Sequence, residues 1–221
     1  MNDTKHLNFI DDLANKLKPV NVNWSAEKRT CFWFIIHCTW MALLMFAIKP
    51  FRYPLVHESH VFQFVFEATL FLVGLVFTGY FCFLSFVPGA IKSNKIKLSL
   101  IPVLFLIILF LYKIIFPSNT YSNWGWVENY ITMRSFCEFE IMLYSLIPLA
   151  HIYYLIKKSI FINNKWTFIC AVLSSSLIPA FIMHFACAYN YTHILIFHIG
   201  TTILMTLVAT PVLFKIYKKS Q

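Results

Sequence analysis

Charged residues are scarce in this chain. Only 12% of its 221 residues are Asp, Glu, Lys or Arg, which is about half the fraction found in soluble domains. Hydrophobic residues make up 59% of the sequence. This balance excludes an ordinary soluble globular protein and indicates an integral membrane protein.

The apolar segments also lack the alternation of polar and apolar residues that marks the strands of a membrane barrel. Each is instead long enough to cross a hydrocarbon core of roughly 30 Å as a helix of about 20 residues. The six runs cover residues 31–48, 62–86, 98–116, 135–156, 166–188 and 194–214. The sequence therefore predicts an all-α integral membrane protein, a six-transmembrane-helix bundle over 31–215, with polar segments at 1–30 and 216–221.

Three further features are missing. The first 30 residues are polar and the first apolar run contains no small-residue cleavage site, so we expect this run to be a retained anchor rather than a signal peptide. No two cysteines are spaced as Cys-x-x-Cys, so the sequence has no thioredoxin-like or zinc-knuckle motif. No internal repeat indicates a carrier site.

The positive charge is divided among loops. Fourteen of the eighteen Lys and Arg residues lie in segments on one side of the predicted membrane. These segments are 1–30, 87–97, 157–165 and 215–221. Lys49, Arg52 and Arg134 lie on the other side. The positive-inside rule thus predicts that both termini are cytoplasmic. Despite a net charge of +9, this distribution argues against a direct nucleic-acid partner.

The N-terminal segment contains a short amphipathic pattern. Acidic residues Asp11 and Asp12 lie opposite its apolar face, and Pro19 ends the predicted helix near Lys18. A helix of three turns is marginal alone in water. Its acids disfavour an anionic lipid surface, which leaves a partner protein or the bundle itself as the contact. The apolar face consists of Leu7, Ile10, Leu13, Ala14 and Leu17.

One acid lies inside a predicted span. Glu67 is about two turns from the outer boundary of the second run, where an ionisable group is costly and faces the bundle interior. A functional carboxylate and a structural, hydrogen-bonded carboxyl are both open interpretations.

Two of the six cysteines lie at the outer edge. At 1.5 Å per residue, Cys137 and Cys187 are roughly 29 and 32 Å from the inner ends of their spans, on the side where disulfides form. A disulfide, a thiol sensor, a joint metal site and two unrelated packing cysteines are all open. His184, Glu67 and Glu138 lie at compatible depth and, with sulfur, would suit a divalent or heavy metal ion.

The remaining cysteines and histidines carry less information. Cys31, Cys38, Cys82 and Cys170 lie inside spans or near their cytoplasmic ends, and we expect them to be reduced. Membrane histidines are usually hydrogen-bonded within a bundle. His37, His151 and His198 are assigned that role because no spacing on a single helix supports a haem site.

Several short motifs in order resemble the NrsF family, bacterial six-span inner-membrane proteins that hold an extracytoplasmic-function sigma factor inactive. The motifs are Ile10-Asp11-Asp12-Leu13-Ala14, Leu17-Lys18-Pro19-Val20, Arg29, Glu67, Val87-Pro88-Gly89, Cys137, Pro148-Leu149-Ala150 and Cys187. This chain departs from the family pattern at Ala186-Cys187-Ala188 and at Phe197-His198.

The resemblance implies an anti-sigma factor in the bacterial inner membrane. Its N-terminal tail would bind the sigma factor, and Cys137 and Cys187 would sense metal or oxidative stress. The implied partner-binding residues are Leu7, Ile10, Asp11, Asp12, Leu13, Ala14, Leu17, Pro19 and Val20. The alternatives are a membrane thiol oxidoreductase or haem electron carrier, and a small transporter supported only by Glu67. We expect a protein that is not an enzyme.

Overall fold

Helices account for every regular element in the described part of the chain. A computed structural model describes residues 25–48, 61–87, 93–116, 137–158, 165–186 and 193–219. Six helical segments are long and apolar enough to cross a membrane, which confirms the predicted all-α six-helix bundle. The elements are α1 (Ala26–Ile48), α2 (Val61–Leu84), α3 (Ser93–Leu98), α4 (Ile101–Ile115), α5 (Cys137–Lys158), α6 (Lys165–Ala186), a π-helical turn (Ile194–Gly200) and α7 (Thr201–Lys219).

Two of the spans combine two elements each. The third span runs over Lys95–Ile115 and includes most of α3 together with α4. The sixth runs over Ile194–Lys219 and joins the π-helical turn to α7. In each of these spans the backbone departs from regular α-helix where the two elements meet. The two elements together still have the length that a bilayer requires.

The first helix begins before the apolar run that predicts it. α1 starts at Ala26, and the Lys28 backbone N–H donates to the Ser25 hydroxyl at 3.4 Å, so Ser25 caps the N-terminus of the helix. The first turn contains Glu27, whose charge favours a helix N-terminus. Apolar patterning marks only the part of a helix that lies in hydrocarbon, so a polar first turn adds length that the pattern does not show.

Successive spans run in opposite directions. At one end of the bundle, which we call the tail face, the Tyr80 hydroxyl of α2 donates to Glu27 Oε1 of α1 at 3.2 Å. At the other end, the far face, Lys113 Nζ of α4 lies 3.1 Å from Glu67 Oε1 of α2. Spans 1, 3 and 5 therefore begin at the tail face, and spans 2, 4 and 6 begin at the far face.

Helix α6 is the centre of the bundle. In its span 83% of the residues are buried, against 22% to 44% in the others, and it contacts α2, α5 and α7. Its buried Ser174 and Ser176 donate to their own helix, to Ala171 O at 3.1 Å and Val172 O at 2.9 Å. Small side chains whose hydroxyls bond their own backbone let neighbouring helices approach closely.

The outer surfaces of the surrounding helices are apolar. Exposed side chains include Leu43 on α1, Ile108 on α4 and Leu207 on α7. Such residues would form large hydrophobic patches in water. Their exposure fits a bundle that is surrounded by lipid.

Candidate functional site

Three potential metal ligands meet at the far face. Cys137 is the first residue of α5 and is buried, and His193 and His198 lie at the start of the sixth span. The Cys137 sulfur and one ring nitrogen from each histidine all lie within 4.8 Å of one another. In the part of the chain that the structure describes, this is the one group of three or more His, Cys, Asp or Glu residues with that property.

A π-helical turn brings the two histidines together. Residues five apart in an α-helix differ by about 140° in direction, because each residue adds about 100°. The wider π-helix, with its hydrogen bonds between residues five apart, places such residues on nearly the same side. The His193 and His198 rings accordingly lie 5.4 Å apart between centroids, at 71° to each other.

The three residues differ in exposure. Cys137 and His198 are fully buried, whereas His193 is half-buried. The Phe197 ring contacts the His193 ring, with 4.9 Å between centroids. Since His193 is the most accessible member of the group, an ion from the far side would reach this residue first.

His184 is placed elsewhere. It lies near the end of α6 and its ring is stacked on Phe64 of α2, with centroids 4.7 Å apart and planes at 7°. Phe71 lies on another side of the ring at 5.4 Å. His184 was predicted as a candidate ligand beside Cys187, but it is not a member of the Cys137 group.

The two predicted carboxylates also lie outside the group. Glu67 is fully buried and forms an ion pair with Lys113, whose side chain is 19% exposed. This contact favours the structural interpretation of Glu67, since a buried charge needs a partner. Glu138 is half-buried next to Cys137 in sequence, but successive residues of a helix differ by about 100° in direction.

The other predicted site residues lie outside the described ranges. These are Cys187 and the predicted partner-binding residues Leu7, Ile10, Asp11, Asp12, Leu13, Ala14, Leu17, Pro19 and Val20. Their assignment stays a prediction from the sequence.

A second pair of histidines joins two spans in the interior. His37 Nε2 of α1 lies 2.9 Å from His151 Nδ1 of α5, and the Trp33 ring contacts the His37 ring at 5.3 Å. This confirms the prediction of hydrogen bonding within the bundle for these two residues. The four remaining described cysteines, Cys31, Cys38, Cys82 and Cys170, are unbridged, as expected.

Sequence reasoning did not find the histidine group. His193 was not singled out, and His198 was assigned an ordinary hydrogen-bonded role. Five-residue spacing carries no signal when a regular α-helix is assumed, since the two side chains would then diverge. The sequence offered one clue, namely two histidines at the outer start of a span, close to the depth of Cys137.

Six helices that could span a membrane, with a group of thiol and imidazole ligands at one end, define a multi-pass membrane protein with a candidate metal-binding site. The model of the NrsF family, described as negative regulator of sigma F, matches residues 13–215. The chain belongs to this family and is a negative regulator of a sigma factor, with a sigma factor as its partner. No curated protein and no solved structure is significantly similar to it.

Proposed function

We propose that the protein is an anti-sigma factor of the bacterial inner membrane that acts on an extracytoplasmic-function sigma factor. The N-terminal tail holds the sigma factor, and metal or oxidative chemistry at Cys137 and Cys187, the two cysteines that the sequence predicts at the outer edge, lowers the affinity of the tail. The family match carries this proposal, because it spans nearly the whole chain and names a negative regulator of a sigma factor.

The distribution of charge supports a cytoplasmic tail. Ten of the eleven Lys and Arg residues in the described ranges lie at the tail face, and the eleventh is Lys113. Cytoplasmic ends of membrane helices carry such an excess of basic residues. The tail face is therefore assigned to the cytoplasm, where a sigma factor is found, and the far face to the outside.

Contacts through the bundle supply a route between the two faces. Cys137 and His151 lie on the same helix, α5, about 21 Å apart along its axis. His151 contacts His37 of α1 at 2.9 Å, and α1 follows directly after the tail. A shift of α5 at its outer end therefore acts on the helix that carries the tail, provided that the two states of the bundle differ in affinity for the ligand.

The proposed activity is binding and release rather than catalysis. A membrane thiol oxidoreductase or haem carrier is the alternative, and it predicts quinone turnover or a haem absorption band in the purified protein. We expect neither, and we expect the stress response to be lost in Cys137→Ser and Cys187→Ser.

Capture of the sigma factor by the full-length chain tests the proposal. The membrane protein is purified in detergent and co-purifying proteins are identified, with Leu13→Asp as the disruptive variant. Asn15→Asp is the matched control, because it adds the same charge on the predicted polar side of the helix. We expect an extracytoplasmic-function sigma factor with the parent chain and with Asn15→Asp, and its loss with Leu13→Asp. Equal capture by all three, or none by the parent, would contradict the proposal.

A further inference from the structure

We propose that Cys137, His193 and His198 form a binding site for a single borderline-to-soft divalent cation of the zinc class. The claim that these residues bind a cation rests on their geometry alone. The further claim that this binding regulates the sigma factor rests on the proposed function.

The donor atoms select the class of ion. One thiolate and two imidazoles suit zinc and related late transition metals, whereas Mg²⁺ and Ca²⁺ prefer oxygen ligands. Three protein ligands leave one position of a tetrahedral zinc site open for water or an exogenous ligand. Binding requires the deprotonated thiol and neutral imidazoles, so uptake of the ion releases a proton from Cys137.

The spacing of the donors links binding to movement. One sulfur and two nitrogen ligands at the usual zinc distances in a tetrahedron lie about 3.3 to 3.6 Å from one another, and in this structure the three donor atoms lie within 4.8 Å of one another. An ion would therefore draw the three donor atoms closer together. Because Cys137 lies on span 4 and both histidines lie at the start of span 6, the binding energy favours a state of the bundle in which these three side chains converge at the far face.

The π-helical turn itself supports a binding role. Its hydrogen bonds join residues five apart instead of the four of a regular α-helix. Such turns are rare and often occur at functional sites. Here its effect is to align His193 with His198, and both face a cysteine on a neighbouring span. Gly200 at the end of the turn has no side chain, and a Cβ there would lie 3.3 Å from the Leu195 carbonyl oxygen.

Cobalt(II) is a suitable probe, because thiolate coordination gives it a charge-transfer band in the near ultraviolet and tetrahedral geometry strengthens its visible bands. We expect the full-length protein in detergent to bind one Co²⁺ with both signatures, and Zn²⁺ to displace it. Cys137→Ser should abolish the thiolate band. His193→Gln and His198→Gln should each weaken binding by at least the roughly tenfold that the loss of an outer-shell partner costs. His151→Gln, about 21 Å along α5 from Cys137, should bind as the parent does.

Absence of the thiolate band in the parent, or an unchanged band in Cys137→Ser, would overturn the site. If a variant fails to fold, a second measurement that uses only the parent protein still tests the site. Isothermal titration of the parent protein should show one Zn²⁺ bound per chain and no comparable binding of Mg²⁺, and absence of Zn²⁺ binding would also overturn the site. Sigma-factor capture is scored separately, so loss of capture with intact Co²⁺ binding would instead contradict the proposed function.

Discussion

At the scale of single residues, the buried carboxylate of Glu67 and the ammonium of Lys113 stabilise each other at 3.1 Å. Both charges come from predominantly apolar helices, and each would be costly there without a partner. The pair lies at the far face but does not include any member of the Cys137 group. The contact joins α2 to α4, which favours a structural role for the pair.

Removing one charge of this pair should destabilise the bundle. Glu67→Gln leaves the Lys113 ammonium without its carboxylate, and we expect the free energy of unfolding to fall by about 3 kcal/mol. The low end of the usual range applies because Lys113 is partly exposed. Denaturant titration in detergent measures the loss, and Glu67→Gln/Lys113→Met should lose less than the sum of the two single variants. The folded fraction of Glu67→Gln should bind Co²⁺ with the affinity of the parent. A changed affinity would show that Glu67 takes part in metal binding.

At the scale of elements, the π-helical turn should be sensitive at Gly200. Gly200→Ala brings a Cβ to 3.3 Å from the Leu195 carbonyl oxygen, a close contact that requires a small local movement, and we expect this movement to change the position of His198 relative to His193. We expect Co²⁺ affinity to fall by roughly tenfold with little change in helix content by circular dichroism.

Gly79→Ala on α2 is the matched control. Its added Cβ would lie 3.7 Å from Thr30 Cγ2 and from Trp33 Cζ3, which is ordinary contact. Equal Co²⁺ affinity in the two glycine variants would show that the turn does not position the ligands.

The contact between His37 and His151 should matter for transmission and not for metal binding. His151→Phe removes the 2.9 Å contact between α5 and α1 and keeps an aromatic ring of similar size. We expect this variant to bind Co²⁺ and the sigma factor as the parent does, but to release the sigma factor less on metal addition. Tyr154→Phe, at an exposed position of α5, is the control. Full release from His151→Phe would remove this contact from the route.

At the scale of the whole molecule, the six spans could be predicted because the length of an apolar run is a local property of the sequence. The exact ends of the six spans do not follow from the apolar runs alone. α1 begins at Ala26 rather than at the first residue of the apolar run, Cys31, because a capped polar turn continues the helix beyond the hydrocarbon. The central position of α6 was not predicted. A helix that is apolar on all sides has no single apolar face, so its sequence does not show which sides contact other helices.

The candidate site was predicted only in part. Depth along the helices indicated Cys137 as an outer residue. Its neighbours depend on packing between spans and on the π-helical turn, and α-helical periodicity contains neither. Depth therefore favoured His184 and Glu67 over His198 as ligands, although the structure places these two against Phe64 and Lys113.

The central claim is that chemistry at the far face changes the affinity of the tail for a sigma factor. The most direct test measures the affinity of the co-purified sigma factor for the full-length chain in vesicles, without treatment, with Zn²⁺ and with peroxide. For the parent chain we expect at least one treatment to weaken binding by about fivefold or more, and for Cys137→Ser we expect no change with either. The same affinity under all three conditions, or an equal loss in Cys137→Ser, would contradict the account.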